Sequence, residues 1–431
     1  MPTVASYLHP RDEILQAMER IYRYRMTTTS GGNLSIREAN GDVWITPARV
    51  DKGGLRREDI VRVSPDGTID GIRKPSSELP IHRQIRQRRP ELGGIVHAHP
   101  VALVAFSLVH QVPETRLFHQ AWRVCGPVGF APYRLPGSAA LGEIVAATFA
   151  NGFDCVILEN HGTVTAGPDL HQAFGRFETL EFTAKTIIKA RLLGGDVHYL
   201  SDDQIELEHQ RSGAMDGFRP PAPSSEENEV RRRLTEFVRR AYRQRLFIST
   251  QGSYSARVDR ASFVITPFRA DRGVVEPQEL VLVREGRAEA GKQASRAAAL
   301  HDAIFRQHPG VGAIVNAYPV NATAFSVTGT PLETRTIPES YVVVREVGSA
   351  PFGLQFTDPV AVAESIGPHR PAVLLENDGV LVTGSDVLEA FDRLEVLEST
   401  AEAIINCRAV GSLQPLNAAV TKELDAAFFG M

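Results

Sequence analysis

"GGIVHAHPVA" fills positions 93–102, and "VGAIVNAYPVN" fills positions 311–321. These are two copies of one stretch, and the second has lost both histidines: His97 corresponds to Asn316 and His99 to Tyr318. The repetition continues outward from this pair. "WITP" at 44–47 returns as "VITP" at 264–267, "VPETR" at 112–116 as "PLETR" at 331–335, and "VGFAP" at 128–132 as "VGSAP" at 347–351. "LENHGTVTAG" at 158–167 returns as "LENDGVLVTG" at 375–384, and the run at 173–191 returns at 390–408. The offset narrows only from 220 residues (Trp44 to Val264) to 217 (Leu158 to Leu375), so a whole domain is duplicated in tandem. A unit of that length is too long for a solenoid repeat.

A chain of 431 residues exceeds one ordinary core, which agrees with two domains. The first copy is expected over 1–211 and the second over 230–431. The segment 212–229 between them, rich in Pro, Gly, Ser and acid, reads as a linker. Apolar positions at helical spacing predict helices over 11–25 and 230–245. "SSELPIHRQIRQRRP" predicts a helix that stops at Pro90, and 138–151 and 169–193 also read as helical. "GDVWITP" and "GGIVHAHP" are short β-branched runs bounded by Gly and Pro, hence strands. The mixed order predicts an α/β fold in αβα layers, a central sheet flanked by helices, in two tandem copies.

Composition narrows the partners. The net charge of −4 and the absence of a dense basic block give no footprint for nucleic acid or an anionic membrane. "RRR" at 231–233 reads as a solvated helix face. No run of about 18 apolar residues is present to span a bilayer. The amino terminus lacks the basic-then-apolar plan of a secretory signal. Three widely spaced cysteines read as buried thiols in a reducing compartment, so the cytoplasm is the expected location.

The chemistry sits in the histidines. His97 and His99 are two apart on a predicted strand and therefore share a face. Two imidazoles so placed can converge on one metal ion, and His161, where an apolar strand gives way to a turn, supplies a third ligand. In the second copy the corresponding residues are Asn316, Tyr318 and Asp378. Joint loss is the signature of three residues that serve one ion. Glu78 follows the same pattern and becomes Ala297, whereas His82 persists as His301 and reads as structural. A carboxylate beside a dication is suited to moving protons.

The first copy carries "GGNLS", "WITP", "PSSE", "HAHP" and "NHG" in order. In these motifs it resembles the class II aldolase/adducin-type family, typified by L-fuculose-1-phosphate aldolase. The second copy keeps the framework without the site. The resemblance implies a central, mostly antiparallel sheet and a divalent ion on His97, His99 and His161. That ion is zinc first, with Mn2+ or Fe2+ as alternates. It also implies Glu78 as acid and base, and Asn33, Ser76 and Ser77 lining the substrate. Family members form fourfold rings in which a neighbour lends a residue from the region after the HAHP strand, here His119. A fused pair of copies implies a homodimer that builds a pseudo-tetrameric ring, with the second copy kept as a neighbour. One departure stands out: where the family commonly reads T-P-S-G, this chain reads "TPAR". Arg49 either grips a carboxylate or phosphate of the substrate or is a surface arginine.

The expected activity is carbon–carbon lyase chemistry on a small hydroxy or keto acid or a sugar-derived substrate. It takes the form of retro-aldol cleavage or decarboxylation through a metal-stabilised enolate. Two alternatives stay open on sequence: a non-haem Fe(II) oxygenase on the same three histidines, and a non-catalytic adducin-like scaffold.

Overall fold

The run Gly94–Ala98 is buried at every position, and its neighbours in sequence alternate between two apolar layers. Ile95 packs in a cluster with Ile81, Ile85, Val145 and Phe149, while Val96 packs on the other face with Ile14, Met18, Phe174 and Phe177. This period of two, with a helix layer on each side, defines the fold. The computed structural model describes residues 8–209 and 215–430. It divides into unit 1, Met1–Thr115 with Gln120–Lys185, and unit 2, Arg116–His119 with Thr186–Met431.

Along the first copy the elements are α1 (Pro10–Arg23), β1 (Asn33–Arg37), β2 (Val43–Ile45), β3 (Val61–Val63), β4 (Ile69–Asp70), α2 (Leu79–Arg88), β5 (Gly94–Ala98), α3 (Val101–Leu108), α4 (His119–Cys125), β6 (Val128–Ala131), α5 (Ala139–Ala150), β7 (Cys155–Leu158), β8 (Gly162–Gly167) and α6 (Leu170–Leu193). Its eight-stranded sheet has the order β4-β3-β2-β1-β5-β8-β7-β6. Every neighbouring pair is antiparallel except β6 with β7. The expected helices and strands of this copy are all present.

After α7 (Asp202–His209) come β9 (Gly217–Phe218), α8 (Ser225–Arg243), β10 (Ser253–Arg257), β11 (Ser262–Ile265), β12 (Val281–Arg284), β13 (Arg287–Glu289), α9 (Ala298–Gln307), β14 (Ala313–Ala317), α10 (Val320–Ser326), α11 (Pro338–Val343), β15 (Val347–Ala350), α12 (Leu354–Thr357), α13 (Pro359–Glu364), β16 (Ala372–Leu375), β17 (Gly379–Gly384), α14 (Val387–Val410) and α15 (Ala418–Phe429). The second sheet, β15-β16-β17-β14-β10-β11-β12-β13-β9, repeats the first with a strand added at one edge. That strand, β9, lies within the segment read as a linker and pairs in parallel with β13. Ser224 then caps α8 by accepting from the Glu227 amide at 3.1 Å. Residues 210–214, at the start of that segment, lie outside the described residues.

Both cores are dominated by fully buried Ile, Val, Leu and Phe side chains. Each contributes about 1.5–3 kcal/mol relative to exposure. Among the described residues, no helix is long and apolar enough to cross a membrane.

Candidate functional site

Unit 1 brings the predicted residues together at the end of β5 and its neighbours. Asn33 on β1 is the direct partner of His97 in the antiparallel β1–β5 pair, so the two side chains leave the sheet on one face. His161 sits in the two-strand turn between β7 and β8. Glu78 is the N-cap residue of α2, whose second position is Pro80. Two glycines let the backbone close around His99. A Cβ on Gly162 would meet its ring carbon at 2.6 Å, and one on Gly31 would meet its Nδ1 at 2.9 Å.

One ligand atom from each of His97, His99 and His161 lies within 4.8 Å of the others. The Nε2 atoms of His97 and His99 are 3.2 Å apart. His97 Nδ1 lies 2.9 Å from the Thr163 carbonyl oxygen, to which it donates, so its Nε2 is the nitrogen that faces the cluster, donating to Glu78 here and able to ligate a metal once that proton is displaced. Burial, then the charges on His97 and His161, pushes His99 down to about 3. Burial, then His97, pushes His161 down to about 4. Both are therefore neutral near pH 7, the form that ligates a metal. Three convergent imidazoles fit a divalent transition ion.

Glu78 closes the cluster. Its Oε2 is 3.0 Å from His97 Nε2 and accepts from Asn33 Nδ2 at 2.8 Å. Its Oε1 is 3.6 Å from His161 Nε2 and is buried without a hydrogen-bond partner. Burial pushes this carboxyl up, but the His97 charge and the hydrogen bonds from His97 and Asn33 outweigh it. They hold the group well below the usual carboxylate range.

The other predicted residues fall in different places. Ser76 is buried, and its Oγ accepts from the Glu78 amide at 3.2 Å, so it shapes the turn that presents Glu78. Ser77 is exposed beside it. Arg49 is exposed in the turn after β2 with φ 55°, and Arg269 repeats this conformation at φ 57° in the second copy. His119 belongs to unit 2, where it is buried with Nδ1 3.4 Å from Asp378 Oδ1 and its ring against Phe356. Asp378 also accepts from Tyr318 at 3.0 Å and from Gln355 at 2.9 Å. The three positions that match the histidines thus carry an amide, a phenol and a carboxylate.

Sequence reasoning missed Ser35 and Arg86. Arg86 is buried on α2 and donates to Ser35 Oγ at 2.8 Å. The signal was available, because Arg86 corresponds to Phe305 and so disappears together with Glu78.

The class II aldolase and adducin N-terminal domain model matches twice, over residues 12–188 and 232–405. An L-fuculose phosphate aldolase of Methanococcus maripaludis is 33% identical over 174 residues, 40% of this chain and 93% of the relative. A 3-oxo-tetronate 4-phosphate decarboxylase of Pectobacterium atrosepticum is 32% identical over 209 residues, 47% of this chain and 94% of the relative. A solved L-fuculose 1-phosphate aldolase is 28% identical and covers 48% of this chain and 95% of its own, with a TM-score of 0.42. With the family's domain matched in both copies, and an aldolase and a decarboxylase among its relatives, the chain belongs to the class II aldolase and adducin N-terminal domain family, as a lyase.

Proposed function

We propose that the first copy is a zinc-dependent carbon–carbon lyase acting on a small hydroxy or keto acid, or a sugar-derived phosphate, by retro-aldol cleavage or decarboxylation. One observation carries this reading: His97, His99, His161 and Glu78 form one cluster in unit 1, His97 and Glu78 buried and His99 and His161 half-buried, and all four are replaced in unit 2. His97, His99 and His161 would hold a divalent ion, which when bound would supply positive charge to stabilise negative charge developing on a substrate oxygen. Glu78 Oε1, which has no other partner, exchanges the proton with the substrate. In aldol cleavage it removes the hydroxyl proton as the C–C bond breaks. In aldol cleavage that proton is returned to the enolate carbon; in decarboxylation, where no hydroxyl proton is taken up, Glu78 relays to the enolate carbon a proton drawn from water. Arg49 is the exposed cation assigned to an anionic group of the substrate. Three buried or half-buried free thiols support a reducing, cytoplasmic setting.

The test is turnover of zinc-loaded protein on phosphorylated keto and hydroxy acids, with and without oxygen, detecting aldehyde or carbon dioxide. Cleavage under nitrogen that is lost in Glu78→Gln supports the lyase. Turnover only in air transfers the site to oxygenase chemistry.

The partner we propose is a second copy of this chain. In unit 2, Leu117, Phe118 and His119 are buried, and Asn377 Nδ2 donates to the carbonyls of Leu117 and His198 at 2.8 and 2.9 Å. The Leu200 amide donates to the Arg116 carbonyl at 2.9 Å. The second copy rebuilds this segment: the Leu416 amide donates to the Arg335 carbonyl at 2.7 Å, but Ile337, which matches Phe118, is 48% exposed. Unit 2 also takes up the stretch that follows α6 at Val327 and Thr328, where the His198 amide donates to the Val327 carbonyl at 2.8 Å, and the matching positions in unit 1 are bare. Leu108 and Val109 are 57% and 61% exposed, where their counterparts Val327 and Thr328 are buried. An exposed inserting segment and an exposed receiving face in one chain support a head-to-tail pair that closes as a homodimer.

A further inference from the structure

Behind Glu78 runs an unbroken line of buried hydrogen bonds. Arg86 Nη2 donates to Ser35 Oγ at 2.8 Å, and Ser35 Oγ lies 2.6 Å from His82 Nδ1. His82 Nε2 lies 2.5 Å from Asn33 Oδ1, and Asn33 Nδ2 donates to Glu78 Oε2 at 2.8 Å. All five residues are buried, and His82 and Ser35 are completely so.

The direction of three of the four bonds is forced from the two ends. A guanidinium can only donate, so Ser35 Oγ accepts from Arg86. A carboxylate can only accept, so Asn33 must turn its NH2 to Glu78 and its Oδ1 to His82. His82 Nε2 must then carry the proton. Burial, with the Arg86 and His97 charges, pushes this imidazole well below its ordinary range, so it is neutral and Nδ1 is bare. The single Ser35 proton points at that bare nitrogen.

The second copy separates the structural part of this line from the rest. Ser255 Oγ still meets His301 Nδ1 at 2.6 Å, and His301 Nε2 still finds an amide oxygen, Asn316 Oδ1, at 3.0 Å. Both ends have gone: Phe305 stands for Arg86, Ala297 for Glu78 and Ser253 for Asn33. The Ser–His pair is therefore the retained frame. Only in the first copy does it end on a carboxylate.

We infer that His82 is a positioning residue for the lyase reading above: its Nε2–H locks the Asn33 amide so that Asn33 occupies Glu78 Oε2 and leaves Oε1 for the proton transfer. Without that donor the Asn33 amide is free to flip and present its oxygen to Glu78. Two acceptors would then face each other and the carboxylate would swing away. A displacement of about 1 Å at a reacting group costs on the order of 100-fold in rate.

The test uses the zinc-loaded full chain with His82→Asn, His82→Gln and, as a packing control, His301→Asn. Asparagine reaches only Ser35, whereas the longer glutamine returns an N–H to Asn33. Hydrogen exchange of the Asn33 side-chain NH2, followed by NMR, needs no substrate. Protection should fall at least about 10-fold in His82→Asn, stay in wild type and His82→Gln, and be untouched by His301→Asn. Turnover should follow: kcat down about 100-fold in His82→Asn at unchanged metal content and KM, and restored in His82→Gln. If His82→Asn only lowers the melting temperature, as His301→Asn does, with Asn33 still protected, the inference is overturned. A wild-type protein with no lyase turnover counts against the function reading, and the exchange result still decides His82.

Discussion

Glu78 Oε2 stands 3.0 Å from Nε2 of His97, the same nitrogen that the Thr163 carbonyl leaves for a metal. One carboxylate therefore borders the three candidate ligands, and its second oxygen has no hydrogen-bond partner. Proton transfer next to a bound cation requires that arrangement.

Glu78→Gln keeps the size of the side chain and removes its ability to exchange a proton. The variant is expected to bind zinc as wild type does and to lose about 10²–10⁴ in kcat. Metal content and steady-state kinetics on one preparation check this. A near-normal rate would take Glu78 out of the chemistry.

Much of this was legible in the sequence, because the duplication supplied an internal comparison. His97, His99 and His161 could be grouped by their joint loss before any geometry was known, and the alternation of "GIVHA" gave the shared face. The place of His119 was not legible. Nothing in "ETRLFHQAW" says that residues 116–119 pack in unit 2, since that depends on Asn377, some 260 positions away. The Ser35–His82–Asn33 line was hidden for another reason. His82 and His301 look alike in sequence, and only their partners differ.

The inserting segment gives a matched pair of variants. Phe118 is 1% exposed in unit 2, so Phe118→Ala should cost about 3–5 kcal/mol of stability. Ile337 is 48% exposed, so Ile337→Glu should leave the unfolding midpoint nearly unchanged and shift sedimentation from dimer to monomer. A wild-type chain that sediments as a monomer at micromolar concentration would contradict the proposed pairing.

Acid stability should report His301. Burial pushes its imidazole down to about 4, against 6.5 in the unfolded chain. Between those values the unfolded chain takes up a proton that the folded chain refuses, so stability present above pH 6.5 is lost as pH falls toward 4. The full loss is about 3 kcal/mol. His301→Gln should flatten the dependence by about one proton in urea unfolding measured across that range. Parallel curves for wild type and variant would show that His301 does not titrate differently on unfolding.

The most direct test of the account is metal analysis of the gently purified or zinc-reconstituted chain beside His97→Ala. One divalent ion per chain is predicted, abolished by His97→Ala with the fold retained and untouched by Asn316→Ala in the second copy. Two ions per chain, or one ion that survives His97→Ala, would contradict a single metal centre built by His97, His99 and His161.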